Sequence, residues 1–139
     1  VIATSGSIGK KGYPTFDGIV VNAKWAAENE AFMVELVRQL AKADEAYRTN
    51  TAKWTPDSAE VKAVAKWSKA DAKNVPAAMK LYRFLTLQEQ ASPAWLGGGA
   101  AKAMTNTAIF LKEQGRIQEL KPNYASFVTD VYVKKAMAK

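Results

Sequence analysis

Gly12-Tyr13-Pro14-Thr15-Phe16-Asp17-Gly18-Ile19-Val20-Val21 is the stretch on which the fold turns. Ile19, Val20 and Val21 form a continuous apolar, β-branched run, the composition of a strand covered on both faces. Pro14 has no N–H, so it belongs at the start of such a strand rather than inside it. Gly18 suits a point where another group comes close to the backbone. Asp17 then stands at the mouth of a buried strand, where a carboxylate is costly unless something pairs with it. A ligand cation is one candidate partner. A lysine of the same domain, or plain solvent at a strand end, is the blander alternative, and residue types alone favour it. Strand is therefore expected at residues 15–22, with a short strand at 1–4 and a loop rich in glycine, serine and lysine at 5–12.

Downstream the period changes. Trp25, Ala26 and Ala27 suggest a short helical turn. Phe32, Met33, Leu36, Val37, Leu40 and Tyr47 then recur at three- and four-residue spacing, which predicts a helix over 30–47 with this stripe in the core. Thr55-Pro56-Asp57-Ser58 is a helix start, with Val61, Val64, Ala65 and Trp67 expected on one face of that helix. Asn74-Val75-Pro76 opens another short helix, since proline is tolerated in a first turn. Met79, Leu81 and Tyr82 are its expected core residues. Residues 83–86 read as extended and 87–91 as a turn of helix. A helix over 100–114 carries Ala101, Met104, Ala108 and Leu111 as its stripe, and Gly115 is its stop. The three glycines before it, Gly97, Gly98 and Gly99, invite comparison with a phosphate-binding loop. The Walker lysine and the Ser or Thr after it are missing, so a flexible approach to the helix is the better reading. A final helix over 124–137 is expected to bury Phe127, Val128, Val131 and Tyr132.

The expected class is thus mainly α with one or two N-terminal strands. One buried strand cannot satisfy its own backbone donors and acceptors, which implies partners outside this sequence.

Composition narrows the function. With 48% hydrophobic residues the chain is not a disordered one. It contains no cysteine, hence no disulfide, thiolate metal site or thiol nucleophile. It contains no histidine either, which excludes a Ser-His-Asp hydrolase and a histidine-ligated zinc enzyme. The net charge is +7. The basic residues are scattered along the helices and interleaved with acids, adjacent only at Lys10-Lys11 and Lys134-Lys135. That pattern argues against nucleic acid and against an anionic membrane, and it suits a protein that collects anionic solutes.

Three stretches carry a resemblance. The run Thr4-Ser5-Gly6 through Gly12, Pro14-Thr15-Phe16-Asp17 and Val20-Val21 resembles the taurine-binding members of the aliphatic-sulfonate, nitrate and taurine substrate-binding family of ABC importers. Thr107-Ala108-Ile109-Phe110-Leu111-Lys112-Glu113-Gln114-Gly115-Arg116-Ile117 resembles that family's last long helix and its stop. Asn123-Tyr124-Ala125-Ser126-Phe127-Val128 resembles its closing Asp-Tyr-Ser-x-Tyr-Val element. The similarity runs through nearly the whole chain and is loosest over residues 51–95.

The resemblance implies a part of an α/β, two-lobed periplasmic binding protein of type II. Residues 1–13 would be the end of the second lobe and the hinge return, and residues 14–139 the C-terminal part of the first lobe. The remaining N-terminal part of the same protein would complete both. It implies a periplasmic, non-enzymatic protein without a cofactor, whose partners are a small sulfonate and a permease in the inner membrane, not nucleic acid. Asp17 falls where the family places the carboxylate for the ligand's ammonium, and Thr15 and Tyr13 are candidate hydroxyl donors to the sulfonate. Many relatives carry an aromatic residue two positions after that carboxylate, where this chain has Ile19, so an aromatic wall is not expected there. The competing expectation is a basic helical nucleic-acid-binding or interaction domain.

Overall fold

In a computed structural model describing residues 2–138, eight α-helices and two 3₁₀ turns account for all regular structure among the described residues. The helices are α1 (Ser5–Gly9), α2 (Ala23–Glu28), α3 (Glu30–Thr49), α4 (Ala59–Ser68), α5 (Val75–Met79), α6 (Leu87–Ala91), α7 (Gly99–Glu113) and α8 (Val131–Met137). The 3₁₀ turns are Thr51–Lys53 and Ala125–Phe127.

Local chemistry explains several of the helix ends. The Asn22 side chain accepts from the Trp25 N–H at 3.0 Å and starts α2. Ser58 does the same for α4, accepting from the Val61 N–H at 3.3 Å. Pro76 sits in the first turn of α5, where its missing donor costs nothing. Gly115, with φ 67°, follows α7, and the Arg116 N–H reaches back to the Leu111 carbonyl at 2.8 Å.

The expected N-terminal strands are absent among the described residues. Val1 lies outside them; Ile2, Ala3 and Thr4 are not strand, and residues 13–22 have no regular structure. Ile19 and Val20, expected in a buried strand, are exposed, Val20 at 94%. A strand exists only through its neighbours, and nothing in residues 2–138 pairs with 15–21.

The glycine-rich segment at 5–12 is not a plain loop. Thr4 and Ser7 form a reciprocal cap, with the Ser7 N–H donating to Thr4 Oγ1 at 3.1 Å and the Thr4 N–H to Ser7 Oγ at 3.0 Å. This two-way cap holds the single turn of α1.

The C-terminal helix is also shorter than expected. Residues 128–130 interrupt it, so Phe127 and Val131 no longer share a stripe and both are exposed, while Val133 is buried.

The chain divides into two compact units. One comprises the residues up to Val37 and those from Leu87 onward; the other is Arg38–Thr86. In the first, Ala26, Met33, Ala100, Ala101, Ala103, Ala108 and Val133 are buried. There α6 packs on α8, and α7 on the 3₁₀ turn at Ala125–Phe127. Lys135 pairs with Glu30, tying α8 to the start of α3.

In the second unit α4 packs on α5, and Tyr47, Val61 and Val75 are buried. Trp54 and Phe84 meet the Tyr47 ring edge-on at 5.1 and 4.9 Å. Several expected core positions are exposed instead. Trp67 lies six residues, about 240° of helix, from buried Val61, so the two cannot share a face. Leu81 and Tyr82 lie beyond the end of α5 at Met79, where the helical period no longer places them. Phe32 and Leu40 sit at the exposed margins of the α3 stripe.

Candidate functional site

The three candidate residues lie on one segment, 13–22, fixed at both ends and open between them. At its start the Tyr13 N–H donates to the Ile8 carbonyl at 3.4 Å. Asn106, on α7, donates from Nδ2 to the Gly12 carbonyl at 3.0 Å. Gly12 has φ 97°, a backbone shape that suits glycine, and a Cβ there would come within 3.3 Å of the Asn106 amide. Pro14 packs on Gly9, whose missing Cβ would stand 3.4 Å from the proline Cα. At the far end Asn22 caps α2, and the Trp25 ring meets Phe32 edge-on at 5.7 Å.

Between these anchors the backbone of residues 15–21 has no hydrogen bond to any other described residue. Tyr13, Thr15 and Asp17 are all exposed. The Asp17 carboxylate has neither an ion-pair nor a hydrogen-bond partner among the described residues, so the lysine of the same domain weighed from the sequence is not found there. A Cβ on Gly18 would meet nothing within 4 Å, so the close approach expected at that position does not occur within this chain. Asn106 escaped the sequence reading, because a contact spanning 94 positions leaves no local pattern.

A separate pocket of about 300 Å³ lies in the same unit, lined by Leu96, Gly97, Gly98, Ala101, Val128 and Asp130 among others. It includes none of Tyr13, Thr15 or Asp17. The Asp130 carboxylate at its edge is neutralised by Lys134 at 2.8 Å.

The glycines here do not form an anion cradle. The N–H groups of Gly97, Gly98, Gly99 and Ala100 donate to the carbonyls of Ser92, Trp95, Pro93 and Trp95 at 2.9–3.2 Å. Nor are the glycines a flexible spacer. A Cβ on Gly97 would lie 2.8 Å from the Ser92 oxygen and one on Gly99 1.9 Å from the Ala94 oxygen, so close backbone packing demands them. No group of three or more acidic side chains among the described residues is placed to hold a metal ion. No helix of the described residues is long and apolar enough to cross a membrane.

The segment thus presents one carboxylate and two hydroxyls, all exposed. The chain is similar to the taurine-binding periplasmic protein of Escherichia coli (strain K12), with 30% identity over 133 residues. The match covers 96% of this chain and 41% of the relative, so the chain spans less than half of that protein's length. No family model matches the chain, and no solved structure matches it significantly.

Proposed function

We propose that this chain is part of the solute-binding component of an ABC importer. It takes taurine or a related alkanesulfonate between two lobes in the periplasm and delivers it to a permease in the inner membrane. The observation that carries this reading is the similarity to a taurine-binding periplasmic protein along 96% of the chain. In this reading residues 1–13 leave the second lobe through the hinge, and residues 14–139 complete the first. The remaining N-terminal part of the same protein supplies the other strands of the α/β fold. The hydrogen-bond-free residues 15–21 are where such strands would add, because their backbone groups and the apolar side chains of Ile19, Val20 and Val21 are unmet within this chain.

Asp17 would pair with the ammonium of the ligand, and Thr15 and Tyr13 would donate hydroxyls to its sulfonate. The chemistry is reversible binding with lobe closure, and needs no cofactor or bond-making group. Burial of Asp17 between lobes would make its carboxylate costly without a cation, so a ligand carrying an ammonium is favoured over one without.

Calorimetric titration of the protein bearing this sequence tests the reading. Saturable one-to-one binding of taurine, weaker binding of ethanesulfonate and no chemical turnover of either are expected. Absence of saturable binding of any alkanesulfonate would contradict it.

A further inference from the structure

Over most of the chain basic and acidic residues interleave; between Lys62 and Arg83 they do not. That stretch holds six basic residues and one acid, Asp71, whose carboxylate is engaged by the Lys73 N–H at 2.9 Å. Lys62, Lys66, Lys69, Lys73 and Lys80 are all exposed, and none has an ion-pair partner among the described residues. On α4, helical geometry puts Lys62, Ala63, Lys66 and Trp67 on one side and Val61, Val64 and Ala65 on the other. The second group is buried or half-buried and the first exposed, with Trp67 at 81%. The Lys66 ammonium rests over the Trp67 ring at 5.3 Å. Glu60, at the margin of this side, is the one acid on α4.

An exposed indole flanked by unpaired ammonium groups favours a partner with both apolar and anionic parts. Burying ammonium groups without acids against another part of a protein is costly, so this side of α4 belongs at a boundary with water. Lysine stems and a tryptophan ring suit the boundary between water and lipid. The ring settles at headgroup level while each ammonium reaches a phosphate. A nucleic acid fits less well, because no arginine lies on α4 to fork onto phosphates or bases.

We propose that the Lys62, Lys66 and Trp67 side of α4, extended by Lys69, docks on an anionic lipid surface. The inference is independent of any role for Asp17.

The test is co-sedimentation of the protein, in low-salt buffer, with vesicles of equal phosphatidylglycerol and phosphatidylcholine and with vesicles of phosphatidylcholine alone. Binding to the anionic vesicles should exceed binding to the neutral ones by at least about tenfold. Replacing Lys62, Lys66 and Lys69 together by glutamine should weaken it on the order of a hundredfold, since each lysine near such a surface is worth about fivefold. Trp67→Ala should lower affinity several-fold while the preference for anionic vesicles persists. All four positions are exposed or cap-forming, so helix content by circular dichroism should stay unchanged. Equal binding to both vesicles, no binding to either, an unaffected Trp67→Ala variant, or displacement from vesicles by a single-stranded oligonucleotide at equal phosphate would each overturn the proposal.

Discussion

The Asn106 side chain donates to the Gly12 carbonyl at 3.0 Å across 94 positions, fixing the point from which the candidate ligand-binding segment departs. Gly12 accepts this bond in a left-handed conformation, so the amide and the glycine depend on one another. Asn106→Ala is expected to cost about 1 kcal/mol of stability, the usual net worth of a half-buried hydrogen bond. Gly12→Ala should cost at least as much through its φ of 97°. Chemical denaturation of both single variants and of the double variant checks this. The double variant should cost less than the sum, because removing the Asn106 amide also relieves the 3.3 Å contact that the added Cβ would make with it.

The glycines should sort by steric need. Gly99→Ala forces a Cβ into the Ala94 carbonyl, 1.9 Å away, and backbone must move to admit it. A loss of about 3 kcal/mol or more is expected. Gly18→Ala meets nothing within 4 Å at a position without positive φ, so it should be neutral or stabilising by about 0.5 kcal/mol. Thermal unfolding of the two variants gives the comparison directly.

Burial holds the Asp44 carboxyl above the ordinary aspartate value of 3.8, against the opposing pull of Arg48. The folded state therefore holds this proton more tightly than the unfolded one. The penalty for ionised Asp44 is present at neutral pH and is relieved as pH falls through the folded value toward 3.8. Asp44→Asn should accordingly raise stability at pH 7 by a few tenths of a kcal/mol, with the gain vanishing near pH 3. Denaturation midpoints of both proteins across that range check the sign.

The features legible in the sequence were those decided locally. The helix start at 55–58, the proline at the start of α5, the span of α6 and the glycine stop after α7 each depend on residues within a turn or two. The Thr4 and Ser7 cap was equally local, but the glycines around it read as loop. The strand at 15–22 failed for the opposite reason, since a strand needs paired neighbours and no described residue pairs with it. Trp67 failed on angle, its spacing from Val61 being six residues rather than seven. The candidate site was legible as a string of residue types on one segment. The anchor that positions it, Asn106, was not, because no sequence period connects residues 12 and 106.

Whether Asp17 is the carboxylate for a ligand's ammonium is tested most directly by titrating the protein and its Asp17→Asn variant with taurine and with ethanesulfonate. A charge-assisted hydrogen bond of about 1.5–3 kcal/mol predicts that the variant weakens taurine by roughly ten- to a hundredfold. Ethanesulfonate, lacking the amine, should be much less affected. Equal losses for the two ligands, or no loss for taurine, would contradict that role and leave Asp17 as an ordinary solvated residue of an exposed segment.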